Sequence, residues 1–169
     1  NGIINHYEYI INSEGTIEIR HVLKPEGKMP LWFPRIGLTL TVSDALDQVK
    51  WYGRGPQENY PDRKTGYPMG IYASTVQAMY EPYLMPQDYG LRTDVRWLQL
   101  DHGQRHRPQF KMNEWFNFNI YPYSTDNLTK AMYTYQLQKQ KGMTLNLDYA
   151  TTGVGCTARG VFGAYKAMP

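Results

Sequence analysis

Cysteine is all but missing from this chain. Cys156 stands alone, which excludes an internal disulfide and any cysteine-rich metal site but leaves the compartment, cytoplasmic or periplasmic, open. Long hydrophobic runs are missing too. No stretch approaches the roughly twenty apolar residues of a membrane span, so no membrane partner is expected. Nor is there an excess of one charge, with eighteen Lys and Arg against fifteen Asp and Glu for a net +3. The basic residues are scattered, and Arg105-His106-Arg107 is too small a cluster to track phosphates, so nucleic acid is not expected as a partner. His6, His21, His102 and His106 show no metal-ligand spacing, and none neighbours a Ser or Cys arrangement suited to a nucleophile. Gly153-Val154-Gly155 is rejected as a phosphate loop, because Cys156-Thr157-Ala158-Arg159-Gly160 carries no helix signature after it.

What the chain has in plenty is tyrosine, fifteen among 169 residues. An apolar ring with a polar tip suits sheets, interfaces and sugar-facing surfaces. The length suffices for one domain with a real core, so residues 1–169 are expected to form a single domain. The chain opens on Asn1 rather than Met, with a strand pattern close behind, and is expected to be a piece of something longer.

Periodicity of two dominates the pattern. Residues 7–11 and 16–23 flank Asn12-Ser13-Glu14-Gly15, which predicts a β-hairpin. Ile36, Leu38, Leu40 and Val42 alternate with Gly37, Thr39 and Thr41, a half-buried strand. Similar alternation at Val49/Trp51, Val95/Trp97, Phe116/Phe118/Ile120 and Met143/Leu145/Leu147, broken by Gly, Pro, Asn and Asp, predicts an all-β antiparallel sandwich. One short helix is expected, capped by Ser124, with Leu128, Ala131, Met132 and Tyr135 on its apolar side.

The densest chemistry lies in Trp51-Tyr52-Gly53-Arg54-Gly55-Pro56-Gln57-Glu58-Asn59-Tyr60-Pro61-Asp62-Arg63. Glycines around Arg54 and the following proline predict a tight, rigid loop. Glu58 and Asp62 could act as the carboxylate pair of a glycoside hydrolase. The favoured reading pairs them with Arg54 and Arg63 as ties that hold the loop, since an arginine partner lowers rather than raises a carboxylate pKa. Trp51, Tyr52 and Tyr60 offer rings on which a sugar can stack, although the alternation places Trp51 in the core. A second Pro-containing loop, Glu81-Pro82-Tyr83-Leu84-Met85-Pro86-Gln87-Asp88-Tyr89-Gly90, carries polar groups suited to hydroxyls, or is a surface connection.

As a string, these residues resemble the C-terminal domain of glycoside hydrolase family 2 β-galactosidases. The resemblance runs in order through Pro34-Arg35-Ile36-Gly37-Leu38-Thr39-Leu40, the thirteen-residue signature, the 81–100 segment, the Phe116-x-Phe118-x-Ile120 strand with its helix, and Leu147-Asp148 to Gly153-Val154-Gly155. It implies an antiparallel supersandwich of the galactose-mutarotase-like type, of which 1–169 would be the C-terminal part. It also implies that the two catalytic glutamates of the retaining enzyme lie on a separate TIM-barrel domain. No position here matches the motifs that carry them, so no catalytic residue is expected in this chain.

Family members close the active site with a loop of this domain, in some with a Trp. By count that Trp falls at Arg159 or Gly160, and Cys156-Thr157-Ala158 replaces a Gly-Asp-Asp-like stretch. The resemblance therefore leaves Arg159, Gly160, Thr157 and Tyr60 as carbohydrate-contact candidates, and Arg54, Glu58, Asn59, Asp62 and Arg63 as structural residues of the signature. Implied partners are the barrel and other domains of the parent chain, a β-galactoside substrate and a homo-oligomer formed through the parent. Implied Mg and Na ions belong to the parent, with no cofactor or metal in this chain. The resemblance thus implies a non-catalytic domain that shapes the active-site rim or supports the subunit packing of its parent; the alternative is a free-standing carbohydrate-binding module. A mutarotase-like epimerase rests on fold analogy alone.

Overall fold

The computed structural model describes residues 2–30, 33–103 and 107–154. The chain divides into two compact units, Asn1–Trp32 and Phe33–Pro169. The first holds the expected hairpin, β1 (Gly2–Ile11) paired antiparallel with β2 (Ile17–Glu26). Its turn is closed by Asn12, whose side chain accepts from the amides of Glu14 and Thr16, and by Gly15 at φ 82°, a left-handed conformation that a side chain disfavours. The pairing puts Ile3, Tyr7, Tyr9 and Ile11 on one face with Leu23, His21, Ile19 and Ile17.

The second unit is the all-β antiparallel sandwich expected from the sequence. One sheet runs β3 (Arg35–Val42), β10 (Met143–Thr151), β9 (Phe116–Tyr121), β6 (Arg92–Val95). The other runs β5 (Met69–Thr75), β4 (Gln48–Arg54), β7 (Trp97–Asp101), β8 (Gln109–Phe110). Alternation sends Val49 and Trp51 of β4, with Leu98 and Leu100 of β7, against Phe116, Phe118 and Ile120 of β9 and Leu145 of β10. Trp51 is 0% exposed, as its place in an alternating strand predicts, with Phe118 edge-on at 5.8 Å.

β9 is buried along its whole length. Its other face carries Asn117, Asn119 and Tyr121, and there a second, tyrosine-rich cluster forms from Tyr89, Tyr121 and Leu128 with Tyr80, Tyr83 and Tyr123 against it. Asn119 donates to Asp88 and to the Tyr89 carbonyl, and Asn146 donates to Asn119 and to the Tyr121 hydroxyl. Buried amides on a covered face need such partners. Five of the fifteen tyrosines pack here, whereas Tyr7, Tyr9, Tyr52, Tyr133, Tyr135 and Tyr149 are exposed.

Two expectations are corrected. Val95 and Trp97 do not share a strand: β6 and β7 belong to different sheets, and the chain switches at Arg96, whose amide donates to the Tyr52 carbonyl at 2.7 Å. The core positions of β7 are Leu98 and Leu100, with Trp97 on the opposite face. The helix is also shorter than its apolar spacing predicts. α1 spans Thr125–Lys130 with Ser124 as N-cap, its hydroxyl accepting from the Asn127 amide at 3.0 Å. Leu128 and Ala131 are buried, but Met132 and Tyr135 are 55% and 79% exposed. The Gln136 side chain accepts from the amides of Met132 and Tyr133, just before a 3-10 turn at Thr134–Gln136 that Tyr133 caps.

Candidate functional site

The signature begins inside β4 and leaves it at Arg54. Trp51 lies over the turn, its indole N–H donating to the Arg54 carbonyl at 3.0 Å. Gly55 fits because a Cβ there would press on Tyr72 and Trp51, and the Gly55–Pro56 peptide is cis. Arg92 then closes the loop from the far sheet. Its guanidinium sits 5.5 Å over the Trp51 ring and donates to the carbonyls of Pro56 and Gly90. Burial pushes its pKa down to about 10, still charged at neutral pH.

Glu58 is the hub. It is 6% exposed and accepts from Arg63 at 2.9 Å, the Tyr60 hydroxyl at 3.3 Å, the Gly90 amide at 2.8 Å and the Tyr83 hydroxyl. A carboxylate bound this way holds three segments together: its own loop, Tyr83 and Gly90. Burial, then the neighbouring Glu58 charge, push the Tyr83 hydroxyl up to about 12 and Tyr60 higher still. Both stay protonated and donate. Tyr60 is 6% exposed, with Arg63 over its ring at 5.4 Å; its ring belongs to the loop's interior. Asn59 fixes β6, its side-chain oxygen accepting from the Thr93 amide and hydroxyl, while its own amide donates to Leu91.

Asp62 stands inside the turn that Tyr60 and Arg63 close. Arg63 and Tyr60 exchange backbone hydrogen bonds, and between them Asp62 accepts from the Val154 amide at 3.1 Å. Arg54 turns away from both signature carboxylates toward Asp94, at 2.5 Å, and donates to the carbonyls of Lys64 and Tyr67. Lys64 joins the same carboxylate at 2.9 Å. Burial would raise Asp94, but Arg54 and Lys64 hold it below its ordinary value.

A second charged group borders this site. Arg35 lies 3.2 Å from both Asp88 and Asp148. Asp148 is 1% exposed, and its Oδ2 faces Arg35 without a hydrogen bond. Burial pushes its pKa up to about 7 against the pull of Arg35. Among the described residues, no group of three His, Cys, Asp or Glu is placed to hold a metal ion.

The family model described as the β-galactosidase small chain matches residues 2–166. This chain belongs to that family. The β-galactosidase of Vibrio cholerae is 39% identical over 150 residues, 88% of this chain and 14% of the relative. That of Priestia megaterium is 36% identical over 147 residues, 87% of this chain and 14% of the relative. For the Leuconostoc mesenteroides β-galactosidase the figures are 32% over 157 residues, 90% and 14%. The small-chain domain thus spans about a seventh of the length of the curated relatives it matches.

In this small-chain domain the structure brings Glu58, Asn59, Tyr60 and Arg63 together. Arg54 belongs to a neighbouring cluster with Asp94 and Lys64, so the expected pairing of Arg54 with a signature carboxylate is corrected. Thr157, Arg159 and Gly160 lie outside the described residues. Sequence reading missed Tyr83, Arg92 and Asp94 as signature partners. The one available signal was the Arg-rich 92–96 segment, whose charges need partners once the surrounding apolar residues place it in a core.

Proposed function

We propose that this chain is a non-catalytic domain of a retaining β-galactosidase that hydrolyses terminal β-D-galactosides, and that it shapes the rim of the active site. The observation that carries this reading is the bond from the Val154 amide to Asp62, which joins the signature loop to the start of the 153–160 segment. In this reading Arg159 hydrogen-bonds sugar hydroxyls, flanked by Thr157 and Gly160. Catalysis belongs to two glutamates on a barrel domain of the parent, the expected Mg and Na ions to the parent's other domains, and any oligomer is built through the parent. The charged groups of the signature support a structural role, since Glu58 is engaged by several donors and Arg54 by Asp94 of β6.

The test is Arg159→Ala in a β-galactosidase carrying this domain. KM for a small β-galactoside is expected to rise roughly tenfold with kcat little changed, and an unchanged KM sinks the rim reading. The purified chain is expected to leave a chromogenic β-galactoside intact; hydrolysis lost on Glu58→Gln would overturn the non-catalytic assignment.

A carbohydrate-binding module is favoured by one observation. Tyr52 and Trp97 are register partners on the outward face of their sheet, with Tyr52 38% exposed and Lys50 and Gln99 paired two positions along. Titration with galactose or lactose separates the readings: millimolar or tighter binding, lost on Trp97→Ala, supports the module.

A further inference from the structure

We propose that Asp62 is a positioning residue, its carboxylate fixing the backbone at Gly153–Val154 so that the segment leaving β10 starts from a set point beside the signature loop. The inference rests on the rim reading and names the residue that makes it work.

The geometry is built from both sides. On the signature side, the Arg63 amide donates to Tyr60 at 2.8 Å and the Tyr60 amide to Arg63 at 3.4 Å, which closes a turn with Asp62 inside it. Both ends of that turn are tied to the buried Glu58, through the Tyr60 hydroxyl and the Arg63 guanidinium. On the β10 side, Asn117 donates to the Thr151 hydroxyl at 3.0 Å and the Thr152 amide to the Pro34 carbonyl at 3.0 Å. The next tie is Val154 to Asp62, across 92 residues of sequence. A Cβ on Gly153 would overlap the Asp62 carboxyl group, the movable end of its side chain, and displace it from its place beside Val154. A carboxylate accepting a backbone N–H is a directional, charge-assisted tie, so its loss frees the backbone at Gly153–Val154 to shift.

The experiment uses a β-galactosidase carrying this domain, with Asp62→Ala, Asp62→Asn and Gly153→Ala compared by KM, kcat, unfolding midpoint and amide exchange at Val154. Asp62→Ala and Gly153→Ala are expected to raise KM roughly tenfold with kcat within about twofold, and to speed exchange at Val154. Asp62→Asn keeps an acceptor oxygen and is expected to recover most of the KM. Gly153→Ala carries the test if Asp62→Ala fails to fold. A fall in stability without a change in KM, or no recovery in Asp62→Asn, overturns the proposal. If Arg159→Ala raises KM while Asp62→Ala and Gly153→Ala do not, positioning is overturned and the rim reading stands. If none of the three moves KM, the rim reading falls and takes this inference with it.

Discussion

Arg54 and Asp94, forty residues apart in sequence, meet at 2.5 Å between the end of β4 and the bulge of β6. The register of β6 on β9 breaks between Arg92 and Val95, and Asp94 takes a φ of 55° there, a conformation tolerated better by Asp than by most residues. Because Arg54 and Lys64 lower its pKa against burial, Asp94 favours the fold above its ordinary value of 3.8 and loses that contribution as pH falls through its lower folded value. Asp94→Asn should therefore lower the urea midpoint at pH 7 and make the loss on acidification below pH 4 shallower. An acid limb identical to that of the parent chain counts against this role.

Asp148 has the opposite sign. An unfolded aspartate titrates near 4, whereas burial lifts Asp148 to about 7 in the fold. Between these values the fold holds a proton that the unfolded chain has lost, so stability falls as pH rises from about 4 through about 7. Asp148→Asn is expected to flatten the difference between urea midpoints at pH 5 and pH 8, with the gain at pH 8. Equal differences in both proteins refute the assignment.

Glu58 is a buried carboxylate with Arg63, two tyrosine hydroxyls and one amide on it. Removing a buried charge with this many donors strands them, at a cost of about 3–5 kcal/mol. Glu58→Ala should show that loss by chemical denaturation, and Glu58→Gln a smaller one. A loss below about 1 kcal/mol would mean the hub contributes little.

Gly53 lies against Val95, and a Cβ built on it would sit 2.8 Å from a Val95 methyl and 2.9 Å from the Val95 Cα. Gly53→Ala overpacks the junction of the two sheets, at about 1–3 kcal/mol. Thermal unfolding of this variant beside Gly66→Ala, where nothing lies within 4 Å, separates crowding from a general effect of replacing glycine.

Ser124→Ala removes the oxygen that accepts from Asn127 at the start of α1 and should cost about 1 kcal/mol. Tyr135→Ala, on an expected helical position that is 79% exposed, should change stability little. Equal losses would restore the longer helix that the spacing predicts.

The strands, their alternation and the identity of the core residues were legible along the chain. Val49, Trp51, Phe118 and Leu145 point inward because successive side chains in a strand face opposite ways, and that periodicity is local. The Ser124 cap and the hairpin turn were legible for the same reason. Family membership was also legible, because the signature is long and ordered. Tertiary structure alone decided the partners. Arg54 meets Asp94 rather than a nearer carboxylate because the packing of one sheet on the other brings β4 against β6, and Asp62 reaches Val154 because β10 runs back past the loop. The switch at Arg96 was invisible for a related reason: passing from one sheet to the other changes which face a residue occupies without altering the pattern of apolar letters. Periodicity specifies which side chains are buried; only the packing of distant strands specifies which buried charges meet.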